Sequence, residues 1–361
     1  MNRRFPVTAA ALAALVALAG CGSSKPGSVP SSTAPPAAVT ARATATAATS
    51  PPASAPPGTQ AAGSIDVRDV SFVSADRGWV LGRGELLTTA DGGASWTRLP
   101  GPPAGAAHIR FASPQVGYAW TTTGSLWITT NGAASWQPGR LTRVIWLETA
   151  AGQVWSIAGE QPYPDIWRAR AGSTAWTNLG FTPDRSATLT VHGDVAYVVG
   201  QQGAGPIPPS LDVFAGTQPV RHEPLPCARG QAYVPFAPLG VSTDGLVYLV
   251  CDVLNNQPSP PAQTQLAYES VNEGRSWTAG NPPPPQPPQG VTAVAGERFA
   301  WNSGPDLYRL TRHGWHVSLT NPGHSFSLVG FETNAQGLAL GTNGYLWITR
   351  NGGTSWSRVT V

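Results

Sequence analysis

Residues 86–96 read LLTTADGGASW, and the pattern returns as LWITTNGAASW at 126–136 and as LWITRNGGTSW at 346–356. A looser copy, YESVNEGRSW, ends at Trp277, and a degraded one, IWRARAGSTAW, ends at Trp176. In the clear copies an apolar run leads into a Gly-containing turn closed by tryptophan. This is the pattern of a strand entering a tight hairpin that the indole covers. Trp96, Trp136 and Trp176 are evenly spaced, and Trp277, Trp315 and Trp356 keep the rhythm. The interval is about 40 residues, the length of one four-stranded propeller blade.

Upstream of each turn lies a short strand-like triplet. The series runs Val70-Ser71-Phe72, Ile109-Arg110-Phe111, Ile145-Trp146-Leu147, Leu189-Thr190-Val191, Leu239-Gly240-Val241, Thr292-Ala293-Val294 and Val329-Gly330-Phe331. Each precedes a polar or Gly-containing turn and a second strand, which is the signature of stacked hairpins. Seven such units fill the chain from about Ile65 to Val361. The expected fold is all-β, a seven-bladed propeller of four-stranded antiparallel blades over residues 64–361, closed so that few sheet edges remain exposed. The fourth unit lacks the turn motif and has a loop-like stretch from Gln201 to Ser210, and the fifth is lengthened between Asn255 and Gln265. The proline run from Pro282 to Pro288 reads either as a stiff connection or as a polyproline docking surface.

The turns resemble the Asp box of the bacterial neuraminidase repeat, S/T-x-D-x-G-x-x-W. Thr89, Asp91, Gly93 and Trp96 match it, as do Ser270, Asn272, Gly274 and Trp277 with asparagine for aspartate. Thr349, Asn351, Gly353 and Trp356 form a third copy, and Thr129, Asn131 and Trp136 a fourth in which Ala133 replaces the glycine. Aspartate and asparagine both bond the backbone of a tight turn, so the exchange keeps the turn. These residues are a folding device and carry little information about activity.

The N-terminal segment has a different character. Arg3 and Arg4 precede an apolar run, Val7 to Leu18, too short to span a bilayer, which takes about 20 residues. It ends in Leu18-Ala19-Gly20-Cys21, which resembles the bacterial lipobox. Residues 1–20 are therefore read as a lipoprotein signal peptide and Cys21 as the lipidated N-terminus, with an ordinary secretory leader as the alternative. Residues 21–63 are rich in Ser, Thr, Ala and Pro and bury too little to fold. They read as a disordered stalk that spans roughly 35 Å as a coil and about 130 Å when extended. Export places the chain on the outer face of the cell membrane, or of an outer membrane if there is one. There Cys227 and Cys251 are expected to form a disulfide, two buried thiols being the other reading.

Charged residues are 11% of the chain, under the roughly 25% of ordinary domains. With net charge +3 and no concentrated basic face, nucleic acid is not an expected partner. Lys25 is the only lysine, so lysine-amine chemistry is excluded from the folded part. The six histidines show no metal-ligand spacing, and neither a metal nor a cofactor is expected. The Asp-box resemblance implies a sialidase-like glycan hydrolase, but that activity needs three arginines, a tyrosine nucleophile and carboxylates, and no such set can be placed. The acidic residues look scattered, one at a time.

The stretch DVSFVSADRGWVLGRGELLTTADGGASW, residues 69–96, is similar to the repeat of the photosystem II assembly and stability factor family. That resemblance covers the repeats and implies a non-enzymatic scaffold that binds partner proteins. The expected role is a monomeric, lipid-anchored envelope module that presents a propeller face to a protein, peptide or glycan. The turns after the first and third strands share one side of the disc. The opposite face carries Arg68, Arg110, Arg143, Arg185, Glu160, Tyr163 and Asp165, with His108, Glu85 and Asp306 nearby, and is the candidate binding face.

Overall fold

Each recurring turn is held by its own side chains. Thr89 Oγ1 accepts the Gly93 N–H at 2.8 Å and donates to Asp91 Oδ1 at 2.7 Å. Asp91 Oδ1 then accepts the Ser95 N–H at 2.8 Å. The same three bonds recur from Thr129, Ser270 and Thr349 to their own turns. Aspartate and asparagine interchange because the serine hydroxyl rotates. It donates to Asp91 Oδ2, whereas Asn131, Asn272 and Asn351 each donate an amide N–H to the corresponding serine Oγ. Gly93 has φ 89°, and Ala133 takes φ 72° in the copy without glycine.

The computed structural model describes residues 65–361 apart from 161–163, 182–185, 202–209, 217–219, 229–238, 256–261, 285–290, 294–298 and 312. Cys21, the leader, residues 21–63, Tyr163 and Arg185 lie outside the described residues, as does most of the proline run. The described strands form seven four-stranded antiparallel sheets, made from residues 69–98, 106–138, 144–181, 186–224, 239–279, 291–320 and 326–359. Within each sheet the strands lie in chain order, so every sheet is one contiguous piece of sequence. This is an all-β propeller of four-stranded antiparallel blades. In the fifth sheet the described residues of the expected insertion are strand, belonging to the hairpin Val247–Asn255 and Ala262–Ser270.

The core is a set of apolar layers between sheets, not one centre. Trp79, Leu81 and Leu86 of the first sheet bury against Ile109, Phe111 and Ala119 of the second. Trp79 and Phe111 stack face to face with centroids 3.7 Å apart. Comparable clusters join each following pair of sheets. A further one joins the last to the first, with Leu338, Leu340 and Ile348 against Val70, Val80 and Leu87. The Ile65 N–H also bonds the Val361 carbonyl at 3.3 Å. Cys227, just after the fourth sheet, is bonded to Cys251 of the fifth, with Cα atoms 5.6 Å apart.

One spacing explains a glycine in every clear unit. Phe72, Phe111 and Phe331 end the first strands of their sheets and pair with Gly78, Gly117 and Gly337. A Cβ on any of these glycines would fall within 2.6 Å of the phenylalanine ring. The ring lies across the neighbouring backbone and meets its own turn tryptophan edge-on, as Phe72 meets Trp96 and Phe331 meets Trp356.

Candidate functional site

The first strand of each sheet is an edge strand with an unpaired row of backbone groups, which costs free energy unless it is capped. Side chains from neighbouring sheets do the capping. Asp69 Oδ2 accepts the Ile109 N–H and Ser71 Oγ the Phe111 N–H, both at 2.9 Å. Thr149 donates to the Phe111 carbonyl at 3.1 Å. These strands surround a lumen of about 1000 Å³.

Three of the edge strands carry a β-bulge near their start. Pairing skips Ala107 in Ala106–Phe111, Ile145 in Val144–Ala150 and Ser327 in Phe326–Phe331. A bulge re-aims the side chains around it. In the third sheet Ile145 and Trp146 consequently both reach the lumen, and they remain 41% and 39% exposed. At the same mouth His108 stacks on Trp120 with centroids 5.0 Å apart.

Deeper in the lumen lies an ion cluster. Arg110 Nη1 is 3.2 Å from Asp69 Oδ1 and Arg110 Nε is 3.4 Å from Glu148 Oε2. The Trp146 Nε1–H donates to Glu148 Oε1 at 3.1 Å, and His108 Nδ1 stands 3.5 Å from Asp69 Oδ2. Burial opposes ionisation of Asp69, which is 3% exposed, but Arg110, His108 and the Ile109 N–H outweigh it and hold the carboxyl below its ordinary value. For Glu148 burial wins over Arg110 and Trp146, and its carboxyl is pushed up. Glu332, on the lumen wall of the seventh sheet, is reached by solvent yet enclosed by protein. That enclosure pushes its carboxyl up to about 7, opposed by Arg110 and reinforced by Glu148.

The acids that look scattered in the sequence meet in the fold: Asp69 and Glu148 both bond Arg110, and Glu332 lines the same lumen. Among the expected face residues, Arg68 and Arg110 line the lumen. Arg143 and Glu160 instead pair with each other on the exposed surface. Asp165 begins the strand Asp165–Arg170 and is half-buried. Glu85 is bonded to Arg98, and Asp306 accepts from Thr320. The described lumen residues include two arginines and no tyrosine. No group of three or more His, Cys, Asp or Glu among the described residues has a metal-holding arrangement.

No family model and no curated protein matches the chain. Solved structures do. A YCF48 chain bound to a D1 peptide is 18% identical, with a TM-score of 0.55 over 81% of this chain and 95% of its own. YCF48 from Cyanidioschyzon merolae is 14% identical, with a TM-score of 0.52 over 74% and 90%. An ancestral GH74 enzyme is 13% identical, with a TM-score of 0.56 over 83% of this chain and 46% of its own. At these identities the likeness shows the fold, a β-propeller resembling the photosystem II assembly factor.

Proposed function

We propose that the chain is a non-catalytic, lipid-anchored binding module of the cell envelope whose lumen mouth takes a peptide segment of a partner protein. In this reading each four-stranded sheet is one blade of a seven-bladed ring, and the self-bonded turns are Asp boxes. Cys21 carries the lipid, residues 21–63 hold the monomeric propeller away from the membrane, and residues 64–361 bind. The observation that carries the reading is the bulge that turns Ile145 and Trp146 into an open cavity. Large apolar side chains left facing an open concave space are the mark of a binding surface. The structural likeness to a YCF48 chain bound to a peptide supports the same class of partner.

The test is affinity capture from envelope extracts with the full-length chain and with Trp146→Ala. The reading expects a specific retained protein that the variant loses. Identical retained sets would sink it. The acidic cluster is the one observation that favours a glycan hydrolase, yet Asp69 and Glu148 are both held on Arg110. Turnover of fluorogenic sialosides or glucosides, lost in Glu148→Gln, would establish that alternative.

A further inference from the structure

We infer that the lumen receives the basic side chain of an extended peptide, an arginine or lysine that passes Trp146 and lodges between Glu148 and Glu332. The inference rests on the peptide-binding reading above and specifies the chemistry of the guest. Its basis is an imbalance of charge around Arg110. Asp69 and Glu148 both bond that guanidinium, and Glu332 lines the same lumen with a carboxylate that has no hydrogen bond or ion pair among the described residues. Three carboxylates thus face the lumen around one guanidinium, and the Glu332 carboxylate stays open to solvent, where a guest cation can reach it. A second cation completes the set.

The surroundings fit a long cationic side chain better than a bare ion. The bond from the Trp146 indole N–H to Glu148 Oε1 fixes a large, half-open ring beside the carboxylate. An aromatic face next to a carboxylate favours guanidinium and ammonium groups on aliphatic stems. The edge strands run in one direction around the lumen. Along the third sheet's first strand, Val144–Ala150, the guest meets Trp146 and then Glu148, and Glu332 stands just past the end of the seventh sheet's first strand, Phe326–Phe331. Space is left on the far wall, where a Cβ on Gly330 would meet nothing within 4 Å. Arg68 opposes a cation only at the rim, where it is exposed and screened by solvent.

The test uses end-blocked, fluorescein-labelled heptapeptides of sequence GSLXLSG, with X as arginine, lysine, citrulline or glutamate. Binding to the full-length chain is followed by anisotropy. Arginine and lysine peptides are expected to bind about tenfold more tightly than citrulline, the neutral isostere, and glutamate more weakly still. Glu332→Gln should reduce the arginine preference to about twofold or less while near-UV circular dichroism stays unchanged. The Glu332 carboxylate makes no hydrogen bond or ion pair among the described residues, where only its backbone N–H is bonded, to the Gln336 carbonyl, so this variant remains informative if Glu148→Gln disturbs Arg110. Equal binding of arginine and citrulline peptides, or full preference retained in Glu332→Gln, would overturn the charge inference and leave peptide docking standing. No binding by any of the four at about 1 mM would overturn both.

Discussion

Asp69 serves the fold and the lumen at once. Its carboxylate caps the edge of the second sheet through the Ile109 N–H and anchors Arg110. Asp69→Ala leaves a buried N–H without a partner and removes one of the two carboxylates holding Arg110. We expect a loss of about 3 kcal/mol, measured by urea unfolding. Because its folded pKa lies below the ordinary 3.8, this stability is complete above that value and is lost as pH falls through the folded one. Glu332 has the opposite sign. Its folded pKa of about 7 exceeds the ordinary 4.5, so its ionisation costs stability as pH rises between the two. Glu332→Gln should melt higher than the parent above pH 7 and together with it below pH 4.5, and matching curves throughout would refute the assignment. This cluster was hidden in the sequence because Asp69, Arg110, Glu148 and Glu332 each stand alone in their own repeat. The position was nonetheless partly legible, since Ser71 and Arg110 occupy the middle of aligned triplets. Alignment failed at the third unit, where the extra residue Ile145 displaces the register and puts Glu148, not Trp146, beside Arg110.

At the scale of the element, the turns were the most legible feature because every bond that builds them spans only a few residues. Their chemistry predicts two substitutions with unequal effects. Asp91 is held near pKa 2, chiefly by the Ser95 hydroxyl and N–H and by the Thr89 hydroxyl, and an asparagine there keeps these contacts with the serine hydroxyl turned round. Asp91→Asn should therefore melt within about 2 °C of the parent at neutral pH. Ala133 is a different case. A side chain at φ 72° costs about 1–2 kcal/mol, whereas removing its buried methyl forfeits about 0.8 kcal/mol. The backbone term is the larger, so Ala133→Gly should stabilise the protein by about 0.5 kcal/mol in chemical denaturation. A destabilised variant would mean that the methyl packs more tightly between the first two sheets than this balance allows. The bulges, by contrast, were not legible, since a bulge is set by the pairing partner and leaves no residue type of its own.

For the whole molecule, the repeat period announced a ring but not how it is joined. Many closures are compatible with a 40-residue rhythm, including one in which the last sheet borrows a strand from the chain's other end. Here each sheet keeps its four strands in chain order, and the ends meet by packing of Val70, Val80 and Leu87 on Leu338, Leu340 and Ile348. The Arg350 guanidinium adds a bond to the Gly92 carbonyl at 2.9 Å, and Ile65 meets Val361 directly. Among the described residues the junction between the last and first sheets is then one more inter-sheet layer, with each sheet keeping its own four strands. That equivalence makes a prediction about connectivity. Joining Val361 to Ile65 with a short glycine linker and opening the chain at residues 139–143, between the second and third sheets, cuts no strand pairing and loosens only Leu141 of the layer between those sheets. This permutant should fold cooperatively with near-parent circular dichroism, because new termini are tolerated where little backbone bonding is lost. Opening instead at Gly84, inside the first sheet, separates the paired strands Gly78–Leu81 and Leu86–Thr89 and should cost several-fold more stability. Equal urea midpoints for the two permutants would refute this, showing that a hairpin connection inside a sheet matters no more than a connection between sheets.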